Sequence, residues 1–390
     1  MPPNYAQLPS LIQTAVKQIP PVRREVADKL SLALRLLDEA ASRQDELRGL
    51  VSMLTERIDR MVRCAAPIDE PVNAVYPLGE MPQSALIIGT DGSQILPSAH
   101  GLPYGLANAA AILMPLGSWS PNTIETRTET EIFCENLRIN KNGVILSEES
   151  IDLYRDVRER ELMVECALSA GDQGAVFSLS DGSPEVFGAR DSRLSGDYHE
   201  SFEKIVSAYK RMKDAGRAYG GFVSALNSQF VVRLLEVVMT PQREHRNLRK
   251  TRPLIGLTDD MLFQHLPPGM RSAIFSLRTR AHGGFSDDLT IHFSYLNVAK
   301  SGPPVIARLE FPRYLLDDRK RLDEFHRIVW EQCQIIPNVH FPYVLQQAHK
   351  LARVSRRDQA VVERQLIRAY LNAGLSVPGI TEKLKGKGLT

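Results

Sequence analysis

From Val22 to Val62 apolar residues recur at spacings of mostly three and four: Val26, Leu30, Leu34, Leu37, Ala41, Leu47, Leu50, Met53, Leu54, Ile58 and Met61, with charged residues between them. That period predicts amphipathic helices over residues 8–65, which bury one stripe against the core or a second subunit. Pro67, Pro71, Pro77 and Pro82 then break the pattern, and 66–83 reads as a linker. At Ser84 the pattern changes. The stretch SALIIGTDGS (84–93) has four consecutive apolar residues, Ala85 to Ile88, which predict a strand buried on both faces. Gly92 is expected to turn the chain and leave Asp91 at or just past the strand's carboxyl end. The small apolar run Tyr104–Leu116 and the alternating run Thr123–Cys134 follow, so 84–134 predicts a three-stranded meander.

Ser147 opens the next helix, SEESIDLYRDVRERELMVECALSA. Ser147 and Ser150 offer caps, and Glu148 and Glu149 complement the helix dipole. Gly171 and Gly174 end it. Ala175–Ser183, AVFSLSDGS, is a second apolar run closing on Asp-Gly-Ser. Beyond it the pattern predicts helix 199–215, strand 219–225, helix 228–239, strands 272–277, 289–297 and 305–311, and helices 318–334, within 341–354, and 357–372. The order is α/β with a mixed sheet, added helices and an amino-terminal helical segment. The expected divisions are 1–83 (helices and linker), 84–256 (core with the acids), 257–376 (carboxyl-terminal strands and basic helices) and a Gly- and Lys-rich tail, 377–390.

Composition adds limits. The 390 residues are 43% hydrophobic and 24% charged, which is an ordinary soluble globular balance. A formal charge of +2 announces no nucleic-acid binder by itself, so local placement matters. The segment PQREHRNLRKTRP (241–253) gathers Arg243, Arg246, Arg249, Lys250 and Arg252 against one acid. It reads either as a solvated loop or as a phosphate-contacting arm. Lys350, Arg353, Arg356, Arg357, Arg364 and Arg368 make the carboxyl-terminal end basic too. Four cysteines without paired spacing argue against zinc and a disulfide framework and point to a reducing cytoplasm. MPPNYAQLPS lacks the pattern of a signal peptide, and no run approaches ~20 apolar residues, so no membrane span is expected. There is no Gly-rich phosphate loop.

The repeated Asp-Gly-Ser is the candidate chemistry. If the two strands are neighbours, Asp91 and Asp181 lie side by side and repel unless a proton or cation intervenes. With no lysine nearby, a divalent ion is the economical partner, and oxygen ligands favour Mg²⁺ or Mn²⁺ over zinc. A third acid follows from lengths. Strand 175–181 rises roughly 20 Å at ~3.3 Å per residue. The preceding helix covers that in ~13 residues at 1.5 Å each, which leads back to Glu161, with Glu165 one turn later. Three such acids suit two-ion phosphodiester cleavage, with the ions ~3.5–4 Å apart.

Several stretches, taken in order, carry a family resemblance: LIIGTDGSQ (86–94), RERELMVECAL (158–168), VFSLSDGSP (176–184), GGFVSALNSQFVVRLL (220–235), ARLEFPRYL (307–315) and HFPYVLQQAHKLARV (340–354). Over about 84–372 the chain resembles the NurA family, the nuclease partner of the HerA hexameric helicase-translocase, and especially its bacterial branch. The resemblance implies an RNase H-like core in a homodimer with a central DNA channel, and Mn²⁺-dependent exonuclease and single-strand nuclease activity. It puts the metal-binding acids at Asp91, Glu161 or Glu165, and Asp181. His349 then completes the metal shell or gives a proton to the leaving oxygen. Two departures bear on DNA contact. The family's Tyr, eight residues before the histidine, is Phe341 here, with Tyr343 two residues on. The family's Lys is missing from Ser224–Asn227, which leaves its charge to Arg233 or the basic arm. The expectation is a metal-dependent DNA nuclease working with a HerA-type motor in end processing or defence. The alternative is a catalytically weak subunit that docks on the motor and guides DNA.

Overall fold

The computed structural model describes residues 4–17, 19–59, 62–97, 102–134, 148–185, 195–224, 227–248, 250–278 and 285–377. Ser147, Ala225, Leu226, Arg249 and the tail beyond Val377 lie outside the described residues. In chain order, helices α1 (Leu8–Lys17), α2 (Ile19–Ala40) and α3 (Gln44–Met53) precede strands β1 (Cys64–Pro67) and β2 (Val75–Pro77). The meander β3 (Ser84–Ile95), β4 (Tyr104–Gly117) and β5 (Glu125–Cys134) comes next. Then α4 (Glu148–Ser169), β6 (Ala175–Asp181), α5 (Ser195–Asp214), β7 (Ala218–Val223) and α6 (Phe230–Met239) alternate. After α7 (Asp259–Leu262) come β8 (Met270–Ser272), β9 (Phe275–Arg278), β10 (Ile291–Asn297) and β11 (Ile306–Pro312), and helices α8 (Arg319–Gln334), α9 (Tyr343–Ala352) and α10 (Arg356–Asn372) finish the chain. Among the described residues no helix is long and apolar enough to cross a membrane.

The chain forms two compact units interleaved in sequence, which the division into successive segments did not anticipate. The first comprises Met1–Pro77, Ser224–Gly283 and Ile291–Leu309. Its β1 runs antiparallel to β9, and β9 to β10, while β2 pairs with β8. Strand β1 thus begins inside the span expected to be helical, and β2 lies within the expected linker. Pro67 and Pro77 each close one, where a missing amide costs the ladder least. The stacked pairs Phe263–Tyr295 and Phe275–Phe293, with ring centroids 4.5 and 5.6 Å apart, fill its core. Two buried carboxylates of this unit are held by several donors each. Arg271 donates to both oxygens of Glu70 at 3.0 Å, and the Ile274 amide donates to Glu70 at 2.8 Å. Asp259 accepts from the amides of Phe230, Val231 and Val232, the first turn of α6, and from the Tyr295 hydroxyl at 2.6 Å.

The second unit comprises Leu78–Val223, Gly284–Thr290 and Glu310–Thr390, so β11 is divided between the two. Its strand order is β7-β6-β3-β4-β5. β3 pairs antiparallel with β4 from Ser84↔Gly117 to Ile95↔Leu106, β4 does so with β5, and β6 and β7 join parallel on the other side of β3. A meander whose first strand is flanked by two later parallel strands is the RNase H-like order. Strand alternation sorts the two faces. Leu86 and Ile88 join Val157, Met163 and Val164 of α4 and Tyr209 and Met212 of α5 in one buried cluster. The opposite face meets α8, where Phe325 stacks on Phe177 at 5.6 Å, and α9, which comes close at Gly89. A Cβ at Gly89 would lie 2.6 Å from the Val344 backbone, so only glycine lets α9 approach.

Candidate active site

Asp91 is not at a turn. β3 continues through it to Ile95, with Asp91 opposite Ala110 and Gly92 opposite Ala109, and twelve successive pairings with β4 hold the strand straight. Gly92 serves a different purpose, since a Cβ there would lie 2.8 Å from Arg155 Cγ and 3.4 Å from Glu159 Oε2. The glycine admits α4 rather than bending the chain. What opens the strand to ligands is the end of its other neighbour. Parallel pairing with β6 stops at Thr90↔Ser180, and β6 itself ends at Asp181. Gly182 takes φ +87°, which glycine adopts without strain, and its amide donates to the Phe222 carbonyl. Asp91 and Asp181 thus occupy the next level of adjacent parallel strands, on the same face.

That face belongs to α9. His349 Nδ1 lies 2.7 Å from Asp91 Oδ2, and because a carboxylate only accepts, Nδ1–H donates and Nε2 is left for solvent. The carboxyl end of α9 is fastened beside the same strand. Ser93 Oγ donates to the Ala352 carbonyl and accepts from the Val354 amide at 3.2 Å. Asn108 Nδ2 donates to the same carbonyl at 2.7 Å, and Thr130 donates to Asn108 Oδ1 at 2.7 Å. The Asp and Ser of the first Asp-Gly-Ser thus hold two points of one helix. In the second copy, Ser183 Oγ donates to Glu310, and Arg160 beneath the turn bonds the Ser183 carbonyl at 3.4 Å and the Tyr209 hydroxyl at 3.0 Å.

The electrostatics mark this region. Burial, then the neighbouring Asp91 charge, raises the Asp181 carboxyl, and His349 and the Gly182 amide partly offset the shift. Glu159 of α4 is 7% exposed and pushed up to about 7, first by burial; Asp91 and Asp156 add to the rise and Arg160 opposes it. Among the described residues no Lys or Arg forms an ion pair with Asp91, Asp181 or Glu159.

The expected third acids go elsewhere. Arg158 holds Glu161 at 3.1 Å and Glu165 at 3.4 Å, and also pairs with Glu129 of β5. Glu161 lines an open cavity with α5 residues including Glu203 and Arg211. Glu159 lies two residues before Glu161, and two residues along a helix turn a side chain by about 200°, so the two acids leave α4 in different directions. Glu159 was legible in one respect: Met163 and Cys166, four and seven residues on, put it on a buried stripe.

The predicted DNA contacts separate. Phe341 packs edge-on against Phe222 at 5.4 Å, beside the turn that ends β6, and Tyr343, half-buried, opens α9. Arg233 is consumed internally: it bonds Glu236 at 2.7 Å and the Leu248 carbonyl at 2.9 Å, and burial lowers its pKa. Arg252 is held by Gln229 at 2.5 Å, while buried His245 bonds the Val237 and Thr240 carbonyls. These anchors leave Arg243, Arg246 and Lys250 exposed on the arm.

The donor chemistry of this site, carboxylate oxygens and one imidazole, suits a divalent ion, and suppressed carboxylate ionisation is what a cation would relieve. Among the described residues no three His, Cys, Asp or Glu side chains stand close enough to cage an ion as placed. Paired acids at one level of adjacent parallel strands, in a sheet of RNase H-like strand order, define an α/β protein with an acidic centre. Residues 85–354 match the family described as the NurA domain, which is more than half of the chain, and the chain belongs to that family. The NurA nuclease from Sulfolobus solfataricus superposes with a TM-score of 0.46 at 13% identity, covering 88% of this chain and 98% of that one. A structure of NurA with manganese gives 0.41 at 11% identity, over 78% and 92%. LC9-RNase H1, a type 1 RNase H, gives 0.22 at 13%, over 37% and 64%. These superpositions are loose, and the family assignment rests on the sequence match. No curated protein matches the chain.

Proposed function

We propose that this protein is a Mn²⁺- or Mg²⁺-dependent deoxyribonuclease that hydrolyses phosphodiester bonds. The observation that carries the reading is the placement of Asp91 and Asp181 at one level of neighbouring parallel strands, with His349 bonded to Asp91. Asp91, Asp181 and Glu159 are the residues that would hold the metal, probed first with Mn²⁺. Glu161 and Glu165 are the less favoured choices because Arg158 already occupies them. Bound there, one or two ions supply a nucleophilic water and stabilise the leaving oxygen. Asp91 orients His349 through Nδ1, so that Nε2 points outward and, in the imidazolium form, can pass its proton to a departing 3′ or 5′ oxygen and return to the neutral ring. Phe341 lacks the hydroxyl of the family's tyrosine and offers a ring to stack on a base. Arg246 and Lys250, with Arg249 between them, form a phosphate-contacting arm.

Exonuclease action with cleavage of single strands, a homodimer, a HerA-type hexameric ATPase as partner and DNA end processing or defence in the cytoplasm complete the proposal, all on the strength of the family resemblance. The test is cleavage of a single-stranded oligonucleotide in Mn²⁺ by the isolated wild-type protein, Asp91→Ala and Asp181→Ala. Loss in both variants, with unchanged circular dichroism, is expected. Undiminished cleavage in either variant refutes the metal site. No cleavage by the wild-type protein favours the catalytically weak, DNA-guiding alternative.

A further inference from the structure

Helix α10 follows the last residue of the family match, Val354, and is joined to the acidic centre by structure rather than by motif. Its inner face, Val362 and Leu366, packs on Ile95, Tyr104 and Leu106 in one apolar cluster. Ile95 lies four residues past Asp91 on the same strand, about 13 Å away at ~3.4 Å per residue. The start of α10 is fixed as well. A capping box joins Ser355 and Asp358, and three residues earlier the Ala352 carbonyl is clamped by Ser93 and Asn108.

The outer face is different. Arg357, Val361, Arg364 and Arg368 recur at four, three and four, so they share one side of the helix, and all four are exposed. α10 carries four arginines against two acids, and both acids are engaged elsewhere. Asp358 serves the capping box, and Glu363 accepts from Gln359 at 3.0 Å and from Tyr104 at 3.5 Å. Among the described residues no ion pair joins Arg357, Arg364 or Arg368 to an acid. A solvated helix face ordinarily carries charges of both signs, whereas this one is positive and uncompensated.

We propose that the outer arginine stripe of α10 is a track for the phosphates of a single nucleic-acid strand entering the Asp91–Asp181 centre. The stripe from Arg357 to Arg368 is about 16 Å long at 1.5 Å per residue, and the rise of one strand is ~3.4 Å per nucleotide. Guanidinium forks match phosphate oxygens in pairs, and exposed Val361 gives a base or sugar an apolar contact. The substrate class rests on the nuclease reading; the surface itself does not.

The experiment compares wild-type protein with Arg357→Gln/Arg364→Gln/Arg368→Gln and with the corresponding triple lysine variant. Binding of a fluorescent oligo-dT in EDTA is measured from 50 to 300 mM salt, and KM and kcat for its cleavage are measured in Mn²⁺. At ~0.7 released counterions per phosphate contact, the glutamine variant should lose about two units of the log–log salt slope. Its defect in cleavage should fall on KM, and the lysine variant should restore most of the slope. An unchanged slope with unchanged KM overturns the proposal and leaves an acidic protein partner as the occupant. A changed slope in a wild-type protein that never cleaves keeps the track and removes the nuclease reading. A glutamine variant with an altered circular dichroism spectrum is replaced by the single variants, and a slope unaltered in all three is equally fatal.

Discussion

The two units treat their carboxylates in opposite ways. In the first, the buried carboxylates of Glu70 and Asp259 are each met by several donors. Arg271 meets Glu70 through two bonds while the Ile274 amide donates to the same carboxylate, and Asp259 takes three amides and a hydroxyl. In the second, Asp91 and Asp181 stand at one level of adjacent strands with His349 bonded to Asp91, Glu159 is buried on α4, and among the described residues no Lys or Arg pairs with any of the three. Carboxylates met by donors hold a fold together; carboxylates without a cation leave room for a ligand.

Mutation can break or sharpen that contrast. The largest effect is expected in activity. Asp91→Asn or Asp181→Asn should lower Mn²⁺-dependent cleavage about a thousandfold, since a bound ion is worth several kcal/mol to the transition state. Urea unfolding in EDTA should meanwhile show no loss of stability, because a repulsive charge has been removed. Next comes Arg271→Ala, which leaves Glu70 buried and unpaired. A loss of about 3 kcal/mol is expected, read as a shift in the urea midpoint. A loss under 0.5 kcal/mol would contradict a closed buried pair.

The third is a pH effect. The Glu159 carboxyl is raised in the folded state, so the folded protein holds that proton more tightly than the unfolded chain. The resulting stabilisation is present in full below the unfolded value and is lost as pH rises towards about 7. Metal-free wild-type protein should therefore lose roughly 2 kcal/mol relative to Glu159→Gln between pH 4.5 and 7.5. Parallel pH profiles would remove Glu159 from the centre. The smallest effect is Asp259→Asn, where one acceptor becomes a donor facing the α6 amides, with a cost of about 1 kcal/mol in the same unfolding measurement.

Much of this was readable in the chain. The doubled Asp-Gly-Ser located both strand carboxylates, and apolar runs located the meander and its helices, because local periodicity reports which faces are buried. What failed depended on partners far away in sequence. Gly92 looked like a turn because a dipeptide does not reveal that β4 supplies twelve pairings. The two strands in 64–77 are completed by residues some two hundred positions later. Arg233 looked like a free cation until Glu236 and Leu248 claimed it. Glu159 is not among the acids the length estimate reaches, Glu161 and Glu165, because axial rise can be counted from sequence, whereas azimuth depends on which stripe is buried.

The uninterrupted ladder beneath Asp91 bears on how such a gene can change. Side chains alternate across a strand, so inserting or deleting one codon between Ser84 and Thr90 would carry Asp91 to the α4 face and bring a neighbour to the α9 face. Substitutions along β3 can accumulate one at a time, but length cannot drift. Length variation among descendants of this sequence should be confined to the connections on either side of the strand.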